Sequence, residues 1–166
     1  MNKILVTGGL GFIGSTLIKK ILSDTSDKIL NIDKLSYASM PESLYEIKND
    51  LRYSFKKIDI CDLKALKDTL FTFSPNIIIH LAAESHVDNS ISSPQEFIHT
   101  NIVGTYNLLE ASRELWKKEI SEHNKFIHVS TDEVYGSLKN EDSPFNEENN
   151  YKPNSPYSAS KASSDI

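Results

Sequence analysis

Ile4-Leu5-Val6-Thr7-Gly8-Gly9-Leu10-Gly11-Phe12-Ile13-Gly14 decides the fold of this chain. A short apolar strand runs into glycines spaced Gly9-x-Gly11-x-x-Gly14, and a wider spacing starts from Gly8. Glycines here let the backbone turn tightly and approach a pyrophosphate, whose charge the N–H groups of the following helix receive. A bare glycine pattern is weak. This one follows a strand, opens the amphipathic stretch Phe12 to Leu22, and is answered by Asp33 at the end of the next apolar run. An acid at that place suits ribose hydroxyls and repels a 2′-phosphate, so NAD is expected over NADP, with neighbouring Lys34 pulling the other way. The bland alternative is a glycine-rich structural turn with a surface acid.

Working outward, the short, mostly apolar runs Ile4 to Thr7, Ile29 to Ile32, Tyr53 to Ile58, Ile77 to His80 and Phe126 to Ser130 read as five parallel strands buried on both faces. Helical patterns lie between them: Phe12 to Leu22, a shorter one near Pro41 to Lys48, Leu63 to Phe71, and a long one from Pro94 to about Lys118. Such alternation predicts an α/β fold with a doubly wound, Rossmann-like parallel sheet, its ligand across the carboxyl ends of the strands. The polar stretch Asn140 to Pro156 reads as a loop, after which Ser155 and Pro156 supply the N-cap and first position of a last helix. One dinucleotide-binding domain over residues 1–166 is the expectation.

The composition, 39% hydrophobic and 25% charged with a net charge of -5, is that of an ordinary soluble protein and offers no basic field for nucleic acid. Cys61 is the single cysteine, which rules out an intrachain disulfide and fits a reducing cytoplasm. No apolar run is long enough for a signal peptide or a membrane span, so no membrane partner is expected. His80, His86, His99, His123 and His128 show no ligand spacing, and no metal site is expected. His80 and His128 fall in strands and read as buried, hydrogen-bonded residues.

Chemistry enters with Tyr157-Ser158-Ala159-Ser160-Lys161, a phenol and an ammonium one helical turn apart on the same face. A Tyr of ordinary pKa near 10 is a poor base at neutral pH, and a nearby Lys161 and a cationic nicotinamide would lower it. Ser130-Thr131-Asp132-Glu133-Val134-Tyr135-Gly136 ends the fifth strand at the same sheet edge. Spacing alone leaves the adjacent carboxyls equally a solvated turn or a base and proton donor acting on one substrate. Asp59 and Ile60 after the third strand could meet adenine, although Asp59 reads more readily as a helix cap. Leu81, Ala82 and Ala83 after the fourth offer small residues for a flat ring or pyrophosphate.

These segments, with Asp33-Lys34-Leu35-Ser36-Tyr37-Ala38 and His80-Leu81-Ala82-Ala83-Glu84-Ser85-His86-Val87-Asp88, resemble the extended short-chain dehydrogenases and, within them, the dTDP-glucose 4,6-dehydratases. Thr131-Asp132-Glu133 discriminates, since related UDP-galactose 4-epimerases lack the acid pair and related decarboxylases keep only the Glu. The resemblance implies that Gly8, Gly11, Phe12, Ile13, Gly14, Asp33, Lys34, Leu35, Ser36, Asp59, Ile60, Leu81, Ala82, Ala83, Glu84, Thr100, Tyr157 and Lys161 line NAD. It implies that Ser85 and Thr131 touch the sugar nucleotide, and that Thr131, Asp132, Glu133, Tyr157 and Lys161 form the catalytic set. Tyr157 would take the proton of the glucose 4-hydroxyl, Glu133 the C5 proton, and Asp132 would protonate the departing 6-hydroxyl, for a net loss of water. Asn89 departs from the Arg usual after His-Val-Asp.

The resemblance further implies members about twice this length, with a later half completing the sheet and the nucleotide pocket, and a homodimer packed through the Phe97 to Trp116 region and the Tyr157 helix. A chain ending here is expected to leave the fifth strand as an open edge, to fold marginally, to bind NAD weakly and to lack turnover. Two other readings stand beside the dTDP-glucose dehydratase: a UDP-sugar 4-epimerase, decarboxylase or dehydratase of the same superfamily, and a non-catalytic NAD-binding module, which has no need of the Thr131 to Lys161 set.

Overall fold

A computed structural model describes residues 1–117 and 121–166. The described residues gather into two compact units, Met1–Ala82 with Asn107–Val129, and Ala83–Tyr106 with Ser130–Ile166.

The first unit is built on a parallel sheet in the order β3-β2-β1-β4-β5. Its strands are β1 (Lys3–Thr7), β2 (Lys28–Asp33), β3 (Tyr53–Lys57), β4 (Ile77–His80) and β5 (Lys125–His128). Register is in step across the middle, with Thr7 beside both Ile32 and His80. Alternate side chains go to opposite faces, which makes two cores. Leu5, Leu30, Ile32 and Ile78 pack with Leu66 and Leu70 of helix α2 (Leu63–Phe73), and with Leu108 and Ala111. Ile4, Val6 and Ile29 pack on the other face with Ile18 and Leu22 of helix α1 (Phe12–Asp24) and with Leu44 of a 3₁₀ segment, Pro41–Ile47. Each such Leu or Ile contributes about 1.5–3 kcal/mol, and helices on both faces are what a doubly wound sheet requires. The α/β parallel-sheet expectation holds.

Burial on both faces fails at the edges. β3 carries Ser54, Phe55, Lys56 and Lys57 exposed, and β5 alternates exposed and half-buried residues, because each pairs with one neighbour only. The helix expected from Pro94 is also not uniform. It runs as α4 (Pro94–Phe97), a π-helical segment Ile98–Gly104, and α5 (Thr105–Trp116); the expected end at Lys118 lies outside the described residues.

The second unit adds elements the sequence pattern did not predict, α3 (Val87–Ser92) and a 3₁₀ turn at Asp132–Tyr135. Its last helix, α6 (Pro156–Asp165), starts where expected. Ser155 Oγ accepts from the Ser158 N–H at 3.0 Å while Ser158 Oγ accepts from the Ser155 N–H at 3.0 Å, a reciprocal capping box. In this unit Phe97 is buried and meets the Tyr157 ring edge-on at 6.3 Å between centroids.

Candidate functional site

In the first unit, Gly8 to Gly14 follow β1 and Asp33 ends β2, both at the carboxyl edge of the sheet. The loop is as tight as glycine permits. A β-carbon on Gly14 would lie 2.5 Å from the Gly8 carbonyl oxygen, and one on Gly8, whose φ is +68°, would lie 2.7 Å from the Ala82 backbone. Thr7 closes the edge from beneath: its Oγ1 accepts from the N–H groups of Leu81 at 3.2 Å and Ala82 at 3.1 Å and is 2.7 Å from His80 Nδ1. His80 is thus buried and hydrogen-bonded as expected, whereas His128 is only half-buried.

Asp33 does two things. One carboxylate oxygen accepts from the Leu10 N–H at 3.1 Å, and the other from the Leu35 N–H at 2.9 Å and Ser39 Oγ at 2.8 Å. A carboxylate has about four lone-pair sites, so capacity remains for a hydroxyl. Leu35 sits in left-handed backbone at φ 63°, which turns the Lys34 to Ser36 segment around this acid. Asp59 is exposed after β3, and its side chain accepts from the Cys61 N–H at 2.8 Å; the cap of α2 is Asp62, so the helix-cap alternative for Asp59 does not hold. Ile60 is buried beside it, and Leu81 and Ala82 leave the end of β4 half-buried.

These residues fit a dinucleotide. Backbone meets backbone where side chains would stand, no side chain caps the start of α1, and Phe12 and Ile13 there are exposed, which leaves N–H groups for a pyrophosphate. Gly8, Gly11, Phe12, Ile13, Gly14, Asp33, Lys34, Leu35, Ser36, Asp59, Ile60, Leu81 and Ala82 all belong to this unit.

The second unit holds Ala83, Glu84, Ser85, Thr100, Thr131, Asp132, Glu133, Tyr157 and Lys161. Ser85 is exposed and Thr100 is buried in the π segment. Thr131 is the N-cap of the 3₁₀ turn, its Oγ1 accepting from the Glu133 N–H at 3.3 Å, and the same side chain is near enough to the Tyr157 hydroxyl to lower its pKa. The phenol, far along the chain from the acid pair, therefore faces both acids.

The Tyr157 pKa is raised above its ordinary value, first by burial; the Thr131 hydrogen bond lowers it, and the charges of Glu133, Asp132 and Asp165 raise it further. Lys161 is buried, and burial pushes its amine down while Asp165 pushes it up. The chain's own charges thus disfavour the phenolate, and a cationic group at the site would be needed to reverse this.

Two polar residues escaped the sequence reading. Asn101 is buried in the π segment, where it accepts from the Glu84 N–H at 2.8 Å and donates to the Glu84 carbonyl at 2.9 Å. Asp165 accepts from Ser130 and Tyr151. Nothing in the sequence marks Asn101; its burial beside Phe97, Thr100 and Gly104 comes from the fold.

A parallel sheet with this glycine loop, together with a Tyr-x-x-x-Lys helix facing an acid pair, defines a dehydrogenase-type α/β protein. The chain belongs to the GDP-mannose 4,6 dehydratase family, whose model matches residues 5–166. It is 54% identical over 168 residues to the dTDP-glucose 4,6-dehydratase of Neisseria meningitidis serogroup B, an alignment covering 99% of this chain and 47% of that protein. It also resembles the crystal structure of the dTDP-glucose 4,6-dehydratase DesIV from Streptomyces venezuelae, solved with NAD bound, at TM-score 0.88 and 39% identity, over 98% of this chain and 49% of that one. The UDP-Glc/GlcNAc 4-epimerase of Campylobacter jejuni matches at TM-score 0.87 and 29% identity, over 99% of this chain and 47% of that one. The chain spans about half the length of the relatives it matches. The resemblance read from the motifs is borne out at the level of the family.

Proposed function

We propose that this chain is the cofactor-binding and proton-transferring part of an NAD-dependent 4,6-dehydratase that removes water from dTDP-glucose, a lyase of deoxysugar nucleotide biosynthesis. The observation that carries this reading is the packing of the Thr131-capped turn, which bears Asp132 and Glu133, against the helix of Tyr157 and Lys161 inside one compact unit. The identity to dTDP-glucose 4,6-dehydratases supports the choice of sugar nucleotide. NAD, when bound, would take a hydride from the sugar C4, return it to C6, and lend a positive ring charge.

Gly8, Gly11 to Gly14, Asp33 and the Lys34 to Ser36 segment hold the dinucleotide, with Asp59, Ile60, Leu81 and Ala82 along the same strand ends. The family resemblance also assigns Ala83, Glu84 and Thr100 to the cofactor, and Ser85 and Thr131 to the sugar nucleotide. Tyr157, with Lys161 one turn along, removes the proton of the 4-hydroxyl. The resulting 4-ketone makes the C5 hydrogen acidic; Glu133 takes it and later returns it to C5. Asp132 gives a proton to the 6-hydroxyl as it leaves as water, and the proton gained by Tyr157 balances the one lost by Asp132.

A homodimer in the cytoplasm completes the reading. Ile98, Val103 and Tyr106 expose apolar surface on the helical path that the family resemblance assigns to pairing, and a chain with Cys61 as its single cysteine suits a reducing compartment. Among the described residues no helix is long and apolar enough to cross a membrane.

The test is turnover followed by mass spectrometry, with dTDP-glucose and UDP-glucose, added NAD, and the chain extended to the length of its relatives. Loss of one water from dTDP-glucose is expected. Conversion without water loss would move the assignment to an epimerase or decarboxylase, and no conversion of either sugar would leave a binding module.

A further inference from the structure

Asp165 stands on the helix face that carries the proposed chemistry, yet no step above uses it. Tyr157, Lys161 and Asp165 follow one another at four-residue spacing on α6, so their side chains line one side of the helix. The Asp165 carboxylate accepts from Ser130 Oγ at 2.5 Å and from the Tyr151 hydroxyl at 3.2 Å. Ser130 leads directly into Thr131-Asp132-Glu133. Tyr151 lies edge-on to Tyr135, the last residue of the 3₁₀ turn, at 5.3 Å between centroids. One carboxylate therefore ties both flanks of the acid-pair turn to the helix of the phenol and the ammonium.

We infer that Asp165 is a positioning residue, which holds the Ser130 to Glu133 segment on α6 and sets a negative charge one helical turn from the Lys161 ammonium. The inference deepens the dehydratase reading and rests on it. The groups concerned all lie within the second unit. Burial drives Lys161 toward the neutral amine and Asp165 opposes it. Asp165 acts on Tyr157 together with Glu133 and Asp132, and Tyr151 is kept protonated first by burial and then by Asp165. A buried lysine without its facing carboxylate loses its proton at lower pH and ceases to support the phenolate.

The experiment compares Asp165→Asn, Asp165→Glu and Ser130→Ala in the full-length protein, reading the pH profile of kcat/KM and the ¹³Cε titration of Lys161 by NMR, assigned with Lys161→Arg. Asp165→Asn should lower the Lys161 midpoint and the high-pH limb together by about half to one pH unit, a charge effect expected for a partly solvated neighbour about 6 Å away. Asp165→Glu should restore both. Ser130→Ala, which keeps the charge and loses one tether, should lower kcat about tenfold while the limb stays in place. An unmoved Lys161 midpoint in Asp165→Asn overturns the inference. Because that titration needs no substrate, an inactive wild type with a moved midpoint removes the dehydratase reading alone, and an active wild type with an unmoved midpoint removes this one alone.

Discussion

Asn101 Nδ2 donates to Ser160 Oγ at 2.9 Å, so a buried amide in the π segment reaches the residue next to Lys161. The same amide makes both bonds to Glu84, and Ser160 Oγ donates on to the Tyr157 carbonyl at 2.7 Å. π-helical turns often mark functional sites because the extra residue re-aims a side chain. Asn101→Ala removes three hydrogen bonds at once and should cost about 2–4 kcal/mol, most of it from polar groups left buried. Urea denaturation of the wild type and variant checks this; a loss under about 0.5 kcal/mol would mean that the amide is replaceable.

Gly14 cannot accept a side chain without moving the loop it closes. A β-carbon there meets the Gly8 oxygen at 2.5 Å and the Gly9 Cα at 2.6 Å, both of them backbone atoms. Gly14→Ala should therefore cost about 1–3 kcal/mol of stability and weaken NAD binding at least about tenfold, since the loop that gives way is the one assigned to the pyrophosphate. Calorimetric titration with NAD reads the second effect. Unchanged affinity in a destabilised variant would take the pyrophosphate away from this loop.

The sheet was legible because its signal is local. Strand, glycine loop and helix follow one another within Ile4 to Leu22, and Asp33 lies at the next strand end, so the pattern needs no long-range information. Edge exposure was not legible: Phe55 and Ile127 look like core residues until the strand order leaves β3 and β5 with one neighbour each. The second unit was read by motif rather than by structure. Tyr157 and Lys161 were singled out by their spacing, but that Thr131 lowers the pKa of the phenol, and that three carboxylates raise it, depends on the fold of the 3₁₀ turn and the loop after it. Asp165 and Asn101 are ordinary polar residues in sequence and gain meaning only from their partners.

Lys161 should be a site where function opposes stability. Its amine is held below the ordinary pKa by burial, so between the folded value and the unfolded value near 10.4 the unfolded chain binds more protons, and stability rises with pH in that window. At neutral pH, below that window, the cost of burying the ammonium is present in full. Lys161→Met removes the charge and keeps the length of the stem, so it should gain about 1–2 kcal/mol at pH 7, lose that advantage toward pH 10, and abolish turnover. Thermal denaturation at both pH values measures it. Destabilisation at pH 7 would mean that the ammonium is net favourable where it lies.

Thr131 and Glu133 should move the basicity of Tyr157 in opposite directions. The phenol is raised first by burial, and the Thr131 hydrogen bond lowers it while the Glu133 charge raises it. A raised pKa keeps the proton on Tyr157 at neutral pH, so oxidation at C4 should slow about tenfold for each pH unit below the midpoint. Thr131→Val removes the lowering bond and should shift the low-pH limb of that step upward. Glu133→Gln removes a raising charge and should shift it downward, by about half a unit in each case. Single-turnover oxidation of dTDP-glucose isolates this step from loss of water, so Glu133→Gln remains measurable even though it should cut the complete reaction about 10²–10⁴-fold. Shifts in the same direction, or none, would mean that Tyr157 is not the group whose titration sets the limb, and the base would have to be sought elsewhere in the second unit.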